Sequence, residues 1–226
     1  MHASYNNSDT PISFSTLCSL FLICLVSLGG CSSAYYSAME KVGVHKRDIL
    51  IDRVEKARDS QAEAQEQFKS ALDQFNSVVQ LKNTDLKDAY ERLAAEYQDC
   101  EKAAAKVSER INKVEDVSEA LFDEWERELD LYENKELRRA SKKQLRITRA
   151  RYEKMLRSMR TAEASMTPVL KTFRDNVLFL KHNLNAQAIG SLQAEFASLE
   201  KDIDALISKM NEAIGQSNAF IEQMGS

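Results

Sequence analysis

Residues 86–132 read LKDAYERLAAEYQDCEKAAAKVSERINKVEDVSEALFDEWERELDLY. Leu86, Tyr90, Leu93, Tyr97, Cys100, Ala104, Val107, Ile111, Val114, Ser118, Leu121, Trp125, Leu129 and Tyr132 recur in steps of three and four. Charged residues fill most of the positions between them, and no Gly or Pro interrupts. A strand would alternate with a period of two. This run instead predicts one long amphipathic helix with a coiled-coil-like seam.

The same period extends in both directions. Upstream, the stripe is Leu50, Val54, Ala57, Gln61, Ala64, Phe68, Ala71, Phe75 and Val78. Its alanines suit close approach of neighbouring helices. Lys82-Asn83-Thr84-Asp85 reads as a turn, because Asn tolerates a helix C-terminus and Thr or Asp caps the next start. Glu133-Asn134-Lys135 offers a second turn. Beyond it come Leu145, Tyr152, Leu156, Met159, Met166, Leu170, Phe173, Val177, Leu180 and Leu184. Pro168 lies inside that segment and predicts a kink or a restart capped near Thr167, since proline lacks the backbone donor. Asn183-Leu184-Asn185 is the third turn. The last stripe is Leu192, Phe196, Leu199, Ile203, Leu206, Met210, Ala213, Phe220 and Met224.

Four such segments joined by short turns predict an all-α fold, a long antiparallel four-helix bundle over 46–226. The expected helices cover about 46–82, 85–133, 135–183 and 186–224, roughly 55 to 75 Å each at 1.5 Å per residue. The alternative architecture is a long helical hairpin that completes its core by dimerising. Composition agrees with helix. The 226 residues are 43% hydrophobic and 29% charged, with 6 Gly and 2 Pro, too few breakers for a sheet protein of this size.

The N-terminus carries a different signal. ISFSTLCSLFLICLVSL, residues 12–28, is apolar but broken by serines and threonine. A membrane span needs about 20 strongly apolar residues, whereas a secretory h-region needs only about 7–15 followed by small residues. Leu28-Gly29-Gly30-Cys31 follows directly, and it resembles the lipobox of bacterial lipoproteins. The resemblance implies a signal peptide over 1–30, cleavage between Gly30 and Cys31, acylation of Cys31 (diacylglycerol, then an N-terminal fatty acid such as palmitate), and a lipidated tether over 31–45. Ser32 rather than Asp follows the cysteine, which in Gram-negative sorting implies the outer membrane. Residues 1–11 contain Asp9 and no Lys or Arg, unlike an ordinary signal n-region. An uncleaved N-terminal anchor helix is therefore the alternative.

Charge is segregated along the chain. Ten acids stand against two bases between Glu115 and Glu136, and ten bases against one acid between Arg138 and Arg160. Antiparallel pairing of the two segments would offset these charges, each exposed pair giving about 0.2–1 kcal/mol. The longer middle helices also predict an overhang at the turn near Asn134, on the end where the tether arrives. Arg138, Arg139, Lys142, Lys143 and Arg146 would there meet anionic lipid, at about 1 kcal/mol per unpaired charge. Nucleic acid is not an expected partner, because an export signal places the chain in another compartment.

Constellations for chemistry are not found. The mature segment has only His45 and His182, with Val42 and Phe179 three residues before them, so the Glu-x-x-His pattern of di-iron bundles is missing. There is no CxxC, Gly-rich phosphate loop or nucleophile elbow. Cys100 falls on the seam and is expected to be a small buried hydrophobe. No cofactor, metal site or enzymatic activity is expected.

The stretch from Tyr35 to Phe75, with Tyr35-Tyr36 and Gly43 before the first helix, and Leu180-Lys181-His182-Asn183-Leu184-Asn185 near the third turn are similar to an uncharacterised family of Gram-negative helical lipoproteins. That resemblance implies the fold and the localisation, and no catalytic residue. The expectation is a lipid-anchored protein on the periplasmic face of the outer membrane, with a structural or adaptor role and an envelope protein partner. The alternative is a peripheral binder of anionic lipid or envelope components through the arm 138–160. Homo-oligomerisation stays open.

Overall fold

A computed structural model describes residues 35–36, 38–40, 43–80 and 86–225. The expected signal peptide, Gly30, Cys31 and the turn at 82–85 lie outside the described residues. The chain divides into two compact units, Met1–His45 and Lys46–Ser226.

In the first unit the rings of Tyr35 and Tyr36 meet edge to face at 5.3 Å, and residues 38–40 are helical. Gly43 has a φ of +85°, its N–H donates to the Glu40 carbonyl (2.9 Å), and the Val44 N–H donates to the Met39 carbonyl (3.0 Å). That paired pattern is a Schellman helix stop, which needs a left-handed residue at this position and explains the glycine.

The second unit contains α1 (Lys46–Val79), α2 (Leu86–Glu128), α3 (Lys135–His182) and α4 (Ala186–Gly225), with a 3-10 turn at Leu129–Leu131 after α2. Each helix packs on two neighbours in the ring α1–α2–α3–α4–α1. Cross-helix contacts show that successive helices run antiparallel. Gln67 meets Glu96 and Lys46 meets Glu124 between α1 and α2, while Gln193 meets Val79 and Gln65 meets Asn211 between α1 and α4. The protein is thus an all-α four-helix bundle.

The seam is built as the period dictates. All nine residues of the α1 stripe from Leu50 to Val78 are buried. On α2, Leu93, Cys100, Val107, Ile111, Val114, Ser118 and Leu121 are buried, and so are Val117 and Phe122 beside them. A helix with two packed neighbours buries a stripe wider than one seam. One layer joins all four helices through aromatic rings. Phe75 of α1 stacks on Phe196 of α4 (5.9 Å) and meets Phe173 of α3 edge to face (6.3 Å), and Phe173 meets Tyr97 of α2 (5.9 Å).

Three expectations need correction. Helix α3 runs continuously through Pro168, so the restart capped near Thr167 does not occur. Met166 and Val169 are buried on either side and hold the turn in place, while Ala164, whose carbonyl loses its partner, is exposed where water can reach it. Tyr132 and Leu184 continue the apolar spacing but are 40% and 47% exposed, because both follow the end of a helix. Helix α2 stops at Glu128 rather than near 133. Glu126, Glu128 and Asp130 crowd its C-terminal end, where the helix dipole disfavours negative charge.

Candidate functional site

The α2–α3 connection forms a projecting tip. After the 3-10 turn, Tyr132 is extended and Asn134 caps α3, its side-chain oxygen accepting from the backbone N–H of Glu136 (2.9 Å) and Leu137 (3.1 Å). Residues 130–140 are all exposed, and the first buried residue of α3 is Leu145. The other helices end earlier at this end of the bundle. Lys46 at the start of α1 donates to Glu124 (2.8 Å), Arg47 donates to the carbonyl of Met224 near the end of α4, and Met224 lines a cleft with Thr148 of α3. Residues 135–147 therefore run about 20 Å past the level where α1 begins and α4 ends. The indole N–H of Trp125 donates to Ser141 Oγ (2.8 Å) and ties the two arms of the tip together.

The expected antiparallel charge pairing is present for part of the basic arm. Arg149 pairs with Glu126 (2.7 Å) and lies over the Phe122 ring (5.0 Å), Arg138 pairs with Asp130, and Arg160 pairs with Glu115 and with Glu163 (2.7 Å). The hydrogen bonds that Arg160 donates to the Glu115 carboxylate raise its pKa above the ordinary value. Arg139 is held within its own helix by Glu136 (2.9 Å). Lys142, Lys143 and Arg146 make no ion pair among the described residues. They rim an open groove of about 820 Å³ whose floor includes Leu129 and Leu145.

Two apolar residues at the tip, Leu131 and Leu137, are 79% and 56% exposed. Sequence reading missed both. Leu131 falls off the α2 seam, and the exposure of Leu137 follows from where the neighbouring helices end. The sequence of the arm alone shows its charge but not its position at the projecting end.

Cys100 is buried, with its thiol 3.7 Å from the Gln67 carbonyl, and burial, helped by the charges of Glu96 and Asp99, pushes its pKa up to about 12. It therefore remains a protonated thiol packed in the core. Among the described residues, no cluster of metal-ligating side chains is present and no helix is long and apolar enough to cross a membrane.

A family model described as Protein of unknown function (DUF2959) matches residues 35–224. The chain belongs to this family. No curated protein and no solved structure matches it. The DUF2959 match takes in the whole bundle and the projecting tip, and it begins four residues after Cys31.

Proposed function

We propose that the chain is an exported lipoprotein, acylated on Cys31 and held at the periplasmic face of a Gram-negative outer membrane, where the bundle acts as a structural or adaptor element of the envelope and meets a protein partner. The Leu28-Gly29-Gly30-Cys31 sequence after an h-region supports the anchor. The observation that carries the functional part is geometric. Helix α1, which the anchor segment precedes, starts at the end of the bundle that bears the α2–α3 tip. An anchor upstream of Lys46 therefore holds that end nearest the membrane and directs the other end into the periplasm. Intact mass of the protein extracted from membranes, beside a Cys31→Ser variant, tests the reading. The expected result is a species beginning at residue 31 with the added mass of acyl chains, lost in the variant. An unprocessed chain would overturn it.

The unpaired Lys142, Lys143 and Arg146 around the groove favour a second reading, in which the arm 138–160 contacts anionic lipid. Each unpaired cation near an anionic surface contributes about 1 kcal/mol. Replacing Arg138, Arg139, Lys142, Lys143 and Arg146 by Gln in the bundle 46–226 is expected to weaken binding to anionic vesicles at least a hundredfold and to abolish its salt dependence. Unchanged, salt-insensitive binding would sink it.

A further inference from the structure

The projecting tip combines an exposed apolar end with a cation-rimmed groove. Leu131, Tyr132 and Leu137 expose apolar surface at its extremity. Lys142, Lys143 and Arg146 lie about one and a half to two and a half turns behind Leu137 on the same helix and make no ion pair among the described residues. Four acids, Glu128, Asp130, Glu133 and Glu136, share the region with six bases between 128 and 146, but Asp130 and Glu136 are taken up by Arg138 and Arg139. Of the remaining charges, Glu133 and Lys135 offset one another among the apolar residues at the extremity, while Lys142, Lys143 and Arg146 outnumber Glu128 and are set back from it. Behind both, Trp125 is half-buried at the base of the tip with its N–H already satisfied by Ser141.

An apolar point backed by cations matches the cross-section of a phospholipid monolayer, where acyl chains lie beneath a layer of phosphates. Aromatic residues such as Tyr132 favour the boundary between the two. We propose that the tip inserts into an anionic phospholipid bilayer, with Leu131, Tyr132 and Leu137 entering the acyl boundary and Lys142, Lys143 and Arg146 meeting headgroup phosphates. Arg146 lies about 14 Å along α3 from Leu137, about twice the ~5–8 Å depth of one headgroup layer, so a strongly tilted approach is needed to bring both sets into register. The proposal rests on the reading that the arm contacts anionic lipid, and adds depth to it: adsorption becomes insertion.

The opposite end of the bundle is the competing candidate. Leu178, Phe179 and Leu184 are exposed there, but of the nearby cations Arg174 is paired with Asp175, and that end is remote from the start of α1, which the anchor segment precedes.

The chain 31–226 carrying Cys31→Ser allows a direct test, because its one remaining cysteine, Cys100, is buried and protonated. An environment-sensitive fluorophore is attached to Leu131→Cys, to Leu137→Cys or, at the far end, to Leu184→Cys. Vesicles are equal parts phosphatidylglycerol and phosphatidylcholine, or phosphatidylcholine alone, with and without bromine-labelled acyl chains. The expected result is a blue shift and bromine quenching at 131 and 137, on anionic vesicles only, with no change at 184. The unlabelled Leu131→Gln/Leu137→Gln pair should bind anionic vesicles about tenfold more weakly. All these positions are exposed, so an unchanged helical circular dichroism signal confirms folding. Salt-sensitive vesicle binding with unshifted labels at 131 and 137 would overturn insertion and leave lipid adsorption standing. A response at 184 would move the contact to the other end. Absence of vesicle binding would overturn both insertion and adsorption and return the tip to the protein-adaptor reading.

Discussion

Phe75→Ala is expected to lower the stability of the bundle by about 3–5 kcal/mol, the range for deleting a fully buried phenylalanine. For a unit of this size that corresponds to a fall in Tm of about 10 °C. The large figure follows from position. Phe75 has no exposed surface, and its ring touches Phe173 and Phe196, so one truncation opens the layer shared by α1, α3 and α4. Phe173 in turn meets Tyr97, which brings in α2. A cavity there is walled by the Phe173 and Phe196 rings, and rods packed in a ring cannot collapse inward at one level without shifting at the next. Chemical denaturation of Phe75→Ala, Phe173→Ala and the double variant measures this. The singles should not add, with a coupling of about 0.5–1.5 kcal/mol for the edge-to-face pair. Full additivity, or a loss below about 1 kcal/mol for Phe75→Ala, would mean that the aromatic layer is not the keystone of the packing.

The bundle was legible because its helices are long, 34 to 48 residues each. Over such lengths a three-four spacing keeps one face inward, and every residue of the stripe from Leu50 to Val78 is buried. The ends were harder to read, since periodicity carries no stop. Tyr132 and Leu184 continue the spacing after their helices have finished, and the stop of α2 is written in charge, in Glu126, Glu128 and Asp130, not in Gly or Pro. Pro168 misled in the opposite direction. Local chemistry favours a break there, but Met166 and Val169 pack on both sides and the exposed turn tolerates the missing hydrogen bond. Residues inside the stripe were also missed, among them Met155, Ala162 and Asn176 on α3, because contact with two neighbours widens the buried face.

The candidate surface was half legible. The excess of bases over 138–160 is plain in the sequence, but their division into paired and unpaired depends on register between helices. Arg149 and Arg160 fall opposite Glu126 and Glu115, while Lys142, Lys143 and Arg146 face an open groove. Exposed pairs contribute about 0.2–1 kcal/mol each, so their main effect is to fix the register of α2 against α3. That register in turn decides which apolar residues of the tip stay uncovered. Leu131 and Leu137 could not be singled out until the ends of α1 and α4 were placed.

Gln61→Met is expected to stabilise the bundle by about 1–3 kcal/mol. Gln61 occupies a core position of the α1 stripe with no exposed surface, and neither its amide nitrogen nor its amide oxygen has a hydrogen-bond partner. Its neighbours on that stripe are Ala57 and Ala64, both fully buried. The other buried polar residues are treated differently. Ser60 and Ser217 donate to carbonyls of their own helices, and Asn176 donates to the Thr172 carbonyl. An amide that gives up water and gains nothing costs its full desolvation, whereas methionine matches its length, flexes to the same space and carries no unmet polar group. The gain should appear as a rise in Tm of about 2–4 °C per kcal/mol with little change in denaturant slope. A destabilised Gln61→Met would show that the amide is satisfied in solution, with an internal water as the natural bridge, since such waters bind where buried polar groups lack protein partners. If the variant is stabilised but no longer folds to a single antiparallel register, the amide is there for specificity: a lone polar group in an apolar seam disfavours shifted packings that bury it less well. Hydrogen exchange across α1 separates these cases, because a bundle that keeps its register keeps one protection pattern, and a shifted one does not.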